Sequence, residues 1–244
     1  MTRPTSQRSS IPPPPESHHR DIHGGAARAA VLGVSDGLVT NVSLILGVAG
    51  AKIAPGTVRL TGLAGMVAGA FSMAAGEYVS MKAQKELLER ELEMEAIELR
   101  RAPEAERAEL AQLYESRGVD ADTAGELAEE MMRTPELALQ THAREELGVN
   151  PDSLGSPFQA AGASAASFGV GALVPLLPWF FLTGGVAVAL SLVLGAIAAV
   201  LIGTALSRAT GRSALHTVFR QLLVTVAAAG VTYLLGTLVG SHVG

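Results

Sequence analysis

The chain has 244 residues, is 48% hydrophobic and carries a formal net charge of −5, yet its mean hydropathy is +0.34. Eighteen of its 23 acids lie between Glu86 and Glu146, against 7 Arg, so apolar runs must dominate elsewhere, and the chain reads as an integral membrane protein. The acidic middle repels nucleic acid and attracts cations, and with no Cys the chain has neither a disulfide framework nor a thiolate metal site.

Residues Met1 to Asp21 contain four consecutive prolines from Pro12 and lack the apolar centre of a signal peptide. Residues 1–26 are expected to be a disordered tail. Its His18, His19 and His23 are able to hold a metal ion transiently, although a solvated tail is the plainer reading.

A hydrocarbon span needs about 20 apolar residues. Five stretches qualify: Ala29 to Ala51, Leu60 to Met81, Phe158 to Leu182, Gly184 to Leu206 and Thr217 to Gly240. The expected organisation is all-α, with two spans in residues 27–83, a Glu-rich helical domain in 84–150, and three spans in 151–244.

Span one places Asp36 about a third of the way along. A carboxylate there costs at least ~2.5 kcal/mol on insertion scales, and such residues face a pathway or a partner. Gly33 and Gly37 bracket it, four apart, so another helix can approach closely. Span two carries a second small pair, Gly65 and Gly69, followed by Met73 and Glu77 on one helical face. A lone Met in a membrane helix is usually core filling. Its register with Glu77 and its closeness to the acidic segment set this one apart. With no Gly or Pro from Glu77 to Ala102, span two should continue unbroken into the acidic domain.

The rest of that domain divides at its own punctuation. Pro103 starts a helix that ends before Gly118, Asp120 caps the next, and Thr134 with Pro135 starts another that stops at Gly148. Acids fall three apart in pairs: Glu95 with Glu98, Glu106 with Glu109, Glu126 with Glu129. Each pair shares a face and can offer two carboxylates to one divalent cation such as manganese or ferrous iron. Any single pair is more simply a solvated helix surface, since Glu is a good helix former. Several together with few Lys favour metal binding.

In span three, Pro175 and Pro178 should kink or end the helix, and Trp179, Phe180 and Phe181 resemble an interfacial aromatic anchor. Spans four and five read as scaffold. Arg20, Arg28, Lys82, Lys85, Arg208, Arg212 and Arg220 fall on one side of a five-span topology, and only Lys52 and Arg59 on the other. The positive-inside rule then puts the N-terminus and the acidic domain in the cytoplasm and the C-terminus outside.

Four stretches together resemble the vacuolar iron transporter family of ferrous iron and manganese exporters, which has bacterial members: VLGVSDGLVTNVSLILGVAGA, GAFSMAAGEYVS, the Glu-rich insertion, and HAREELGV. The resemblance covers most of the chain from Ala27 onward. It implies a cell-membrane homodimer exchanging metal for protons, with Asp36 and Met73 lining the path. It also implies metal binding through Glu95, Glu98, Glu106, Glu109 and Glu146. Family members place two Met just before the last of these, where this chain has His142 and Ala143. His142, or Met131 and Met132 from the preceding helix, are the candidate substitutes. Divalent metal would be substrate, with no prosthetic group and no enzymatic reaction, and the partners are bilayer, metal ions and protons. Asp36 or Glu77 would carry the proton. The alternative from another class is a membrane-anchored metal sensor or buffer without transport.

Overall fold

The computed structural model describes residues 25–149 and 155–243. The tail carrying His18, His19 and His23 lies outside the described residues. Eight helices follow in order: α1 (Gly25–Gly50), α2 (Pro55–Arg101), α3 (Pro103–Ser116), α4 (Ala121–Met131), α5 (Pro135–Glu145), α6 (Pro157–Leu176), α7 (Gly184–Thr210) and α8 (Ala214–Val243). A 3-10 turn, Leu177–Phe180, extends α6. Five of the helices (α1, α2, α6 with its 3-10 turn, α7 and α8) are long and apolar enough to cross a membrane.

Small residues decide how the spans pack. A Cβ on Gly37 would stand 2.1 Å from the Phe168 carbonyl oxygen, and one on Gly171 2.1 Å from that of Val34. The α1 and α6 backbones therefore run side by side in the same direction, at a distance only glycine permits. Helix α8 also parallels α1. Ser35 meets Gln221 near one end, and toward the other a Cβ on Gly236 would reach 1.9 Å from the Gly47 oxygen. Helix α2 runs opposite to α6, with Gly62 against Leu176 and Gly69 against the Phe168 ring. Between these contacts lie two apolar clusters, one on Leu38, Val42, Leu46, Ala199 and Ala229, the other on Ile45, Val58, Leu176, Trp179 and Ala187.

Two buried polar side chains fasten the bundle. Asn41 Nδ2 donates to the Ala172 carbonyl at 2.6 Å, tying α1 to α6. Trp179 differs from the expected interfacial anchor: it is 3% exposed, and its indole N–H donates to Ser191 Oγ at 3.0 Å. That hydroxyl in turn donates to the Pro175 carbonyl at 2.7 Å. A buried indole N–H needs such a partner, and the turn that follows Pro175 delivers the ring inward to find it. Phe180 and Phe181 stay on the surface.

Helix α2 has 47 residues, hence a length of about 70 Å at 1.5 Å per residue. Beyond the span it is held by pairs four apart, Lys82 with Glu86 and Lys85 with Glu89. Asp120 caps α4 by accepting from the Thr123 N–H, and Thr134 caps α5 by accepting from that of Leu137. Helix α5 stops at Glu145, one short turn before Gly148, whose φ of +64° is the left-handed backbone that glycine adopts at little cost. A small apolar core of Leu110, Tyr114, Ala124 and Ala128 joins α3 to α4.

Candidate metal centre

Three helices bring the acids together. The far half of α2 presents Glu95 and Glu98, α3 presents Glu106 and Glu109, and α5 with its C-cap presents His142 and Glu146. Each pair is three or four residues apart, so helical periodicity alone turns both members to one side. Glu95, His142 and Glu146 offer ligand atoms that all lie within 4.8 Å of one another. His142 Nδ1 stands 3.0 Å from a Glu95 oxygen and 3.4 Å from a Glu146 oxygen.

Burial makes this group different from surface acids. His142 is 1% exposed and Glu95 8%, whereas Glu146 opens partly to solvent. Glu95 Oε1 and His142 Nε2 are buried without a hydrogen-bond partner among the described residues. The 3.0 Å contact thus lacks hydrogen-bond alignment: nitrogen and oxygen share a space more than they point at each other. An uncompensated carboxylate inside a protein is costly, and a divalent cation between Nδ1 and Oε1 would satisfy the Glu95 oxygen.

The electrostatics are those of a crowded carboxylate site. Burial pushes the Glu95 carboxyl up to about 7, with His142 opposing and the charges of Glu146, Glu106 and Glu98 adding to the rise. Glu106 is raised first by burial and then by Glu109, while His142 and Glu98 act on it in opposite senses. Glu146 is raised by burial and by its hydrogen bond with Glu109, against the pull of His142. All five Glu and His142 therefore feel one another. Like charges about 5 Å apart repel by about 3 kcal/mol at an effective dielectric near 20, which metal binding would reverse. Two carboxylates with one imidazole, and three further acids close enough to be felt, suit a hard or borderline divalent ion such as manganese or ferrous iron.

Beside the cluster is a cavity of about 240 Å³, lined on α3 by Glu109, Leu110, Gln112 and Leu113 and on α5 by His142, Glu145 and Glu146. Arg117, the C-cap of α3, bridges its edge. One guanidinium nitrogen pairs with the Glu145 carboxylate, and the other donates to the Glu145 carbonyl at 3.0 Å. Sequence reading missed Arg117, because nothing in the spacing of residues 117 and 145 signals a contact.

Other expected site residues lie elsewhere. Met131 and Met132 pack on the Leu110, Tyr114, Ala124 and Ala128 core. Glu126 and Glu129 are exposed on α4. In the membrane half, Met73 and Glu77 are half-buried and Asp36 is exposed on the surface of the single chain. Glu77 pairs with Arg28 at 3.2 Å. This partner was also unforeseen, though an Arg just before span one and a Glu late in span two must come level in an antiparallel pair. From that level Met73 is one turn, about 6 Å, along α2, and Asp36 is eight residues, about 12 Å, along α1. Glu77, Met73 and Asp36 therefore descend in steps from the acidic domain into the bundle.

Fold and site define a multi-pass membrane protein with an acidic helical domain built on an extension of its second span. Residues 27–237 match the VIT family model. The chain is 40% identical over 186 residues to "Vacuolar iron transporter" of Acanthamoeba castellanii, covering 73% of this chain and 67% of that protein. It is 32% identical over 222 residues to "Vacuolar iron transporter 1" of Oryza sativa subsp. japonica, covering 88% of each. The Arabidopsis thaliana "Vacuolar iron transporter 1" is 29% identical over 226 residues, covering 91% of this chain and 90% of that one. The chain belongs to the VIT family.

Proposed function

We propose that this protein is a divalent metal transporter, moving ferrous iron, manganese or both out of the cytoplasm in exchange for protons. The observation that carries the reading is the cluster of Glu95, His142 and Glu146, whose buried Glu95 stands on the same unbroken helix as Met73 and Glu77. Glu98, Glu106 and Glu109 complete the cluster's charge. In this account the domain gathers metal on the cytoplasmic side and releases it toward Glu77, and Met73 and Asp36 pass it through the bundle. Arg28 holds the Glu77 carboxylate while metal is absent.

The membrane steps follow from charge. Glu77 and Asp36 offer hard oxygen ligands and Met73 a soft thioether between them, a set that borderline ferrous iron tolerates better than calcium. Metal binding favours the ionised carboxylates, so loading releases protons and unloading takes them up, which couples the two flows. Asp36 lies on a face its own chain leaves open. An intramembrane carboxylate facing lipid is expensive, and a second copy of the chain across that face would turn it into a closed path. We accordingly read the working form as a homodimer in the cell membrane, with the C-terminus outside.

The relatives' name, vacuolar iron transporter, supports transport over the second reading, a membrane-anchored metal buffer. One observation favours that second reading: Arg28 pairs with Glu77. Uptake of ferrous iron, manganese, zinc and calcium into proteoliposomes under a pH gradient decides between them. A transporter accumulates the first two in proportion to the gradient. A buffer binds them on the domain and accumulates none.

A further inference from the structure

We propose that the link between α7 and α8 is a binding site for the phosphate headgroups of anionic phospholipids. Arg208 ends α7, Arg212 lies in the link, and Arg220 sits in the second turn of α8. All three are exposed, and none forms an ion pair among the described residues. No Asp or Glu follows Asp152 in the sequence, so this half of the bundle holds no counter-charge of its own.

The arrangement fits a membrane boundary more closely than a solvated loop. On α8, His216 and Arg220 are four apart and share one face, and Arg212 lies two residues before the helix begins. Beside them Leu215 is 83% exposed and Phe219 62% exposed. These apolar side chains sit where acyl chains begin, and the long guanidinium arms reach back to phosphate depth. An Arg fork matches two phosphate oxygens at once. The link also lies at the end of the bundle where α2 leaves for the acidic domain. Ser35 meets Gln221 at the start of α8, and Arg28 meets Glu77 on the same side. Held lipid there would fix the height of α8 against α1, and through it the open face carrying Asp36.

The test uses the full-length protein in bilayer nanodiscs of phosphatidylcholine with phosphatidylglycerol. The phosphatidylglycerol kept through detergent exchange is measured by native mass spectrometry. The combined Arg208→Gln, Arg212→Gln and Arg220→Gln variant should lose at least about tenfold in phosphatidylglycerol retention. Replacing the same three by Lys should preserve most of the retention. So should Lys52→Gln with Arg59→Gln at the opposite end of the bundle. Retention by wild type should fall with added salt, a measurement that stands even if the triple variant fails to insert. Wild-type retention by the triple Gln variant, an equal loss from the opposite-end variant, or salt-independent retention would each overturn the proposal. So would a cross-link from this stripe to the acidic domain with no lipid kept, which would make that domain the occupant.

Discussion

Glu95 is set apart within the candidate metal centre, because it alone among the acids is both nearly dry and in contact with the imidazole. Its carboxyl, raised from 4.5 to about 7, binds a proton in the folded state that it would lose on unfolding over that interval. Its contribution to stability is therefore fully present below about pH 4.5 and is lost as pH rises through 7. Glu106 and Glu146 shift in the same direction and add to the slope. Protons and metal compete for the same oxygens, so manganese affinity measured by calorimetry on the full-length protein should weaken from pH 8 to pH 6. Glu95→Gln should flatten that dependence, and equal wild-type affinities at both pH values would remove the proton from the site. A second expectation concerns the α3 pair. Glu106→Gln with Glu109→Gln should lower metal affinity about tenfold and slow transport at low metal, yet leave transport at saturating metal largely intact. Equal losses at every concentration would place these carboxylates on the obligatory path.

Helices, more than single residues, set how firmly the centre is held. Helices α3 and α5 carry candidate ligands and line the 240 Å³ cavity, and Arg117 ties their ends together. Arg117→Ala should loosen α5 and weaken metal binding. As a half-exposed ion pair is worth at most about 1 kcal/mol, the loss should be no more than about fivefold. Isothermal titration of metal into this variant gives the figure, and an unchanged affinity would mean that the cap and core already fix α5. Much of this level was legible in the sequence. The unbroken run from Glu77 to Ala102 foretold the long helix, and Asp120 and Thr134 foretold caps, because these depend on neighbours along the chain. Arg117 with Glu145, Arg28 with Glu77, and the inward turn of Trp179 were not legible. Each depends on which side a helix shows to an element far away in sequence, and periodicity gives a face without its partner. The same limit hid Asn41: a lone amide in an apolar run does not say which carbonyl it will find.

At the scale of the whole molecule, the five-span plan was readable from hydrophobic length, and the parallel packing of α1, α6 and α8 from paired glycines only in part. Gly33 and Gly37 announced close approach without naming the helix that approaches. What the assembled chain adds is order in depth. The acidic centre sits on the far half of α2, Glu77 is at the membrane end of that arm, and Met73 and Asp36 follow deeper in the bundle. In the proposed mechanism this order is a route for metal coupled to protons, and Asp36 is its deepest acid. Asn nearly matches Asp in shape and keeps its hydrogen bonding, so Asp36→Asn should preserve folding and metal binding by the acidic domain. What it removes is the negative charge and the proton. The decisive measurement is metal-dependent proton movement in proteoliposomes holding purified Asp36→Asn protein beside wild type. Wild type should move protons when metal is added and the variant should not, while both bind manganese alike. Metal and proton movement at the wild-type rate by the variant would contradict it, since span one carries no other acid to take over.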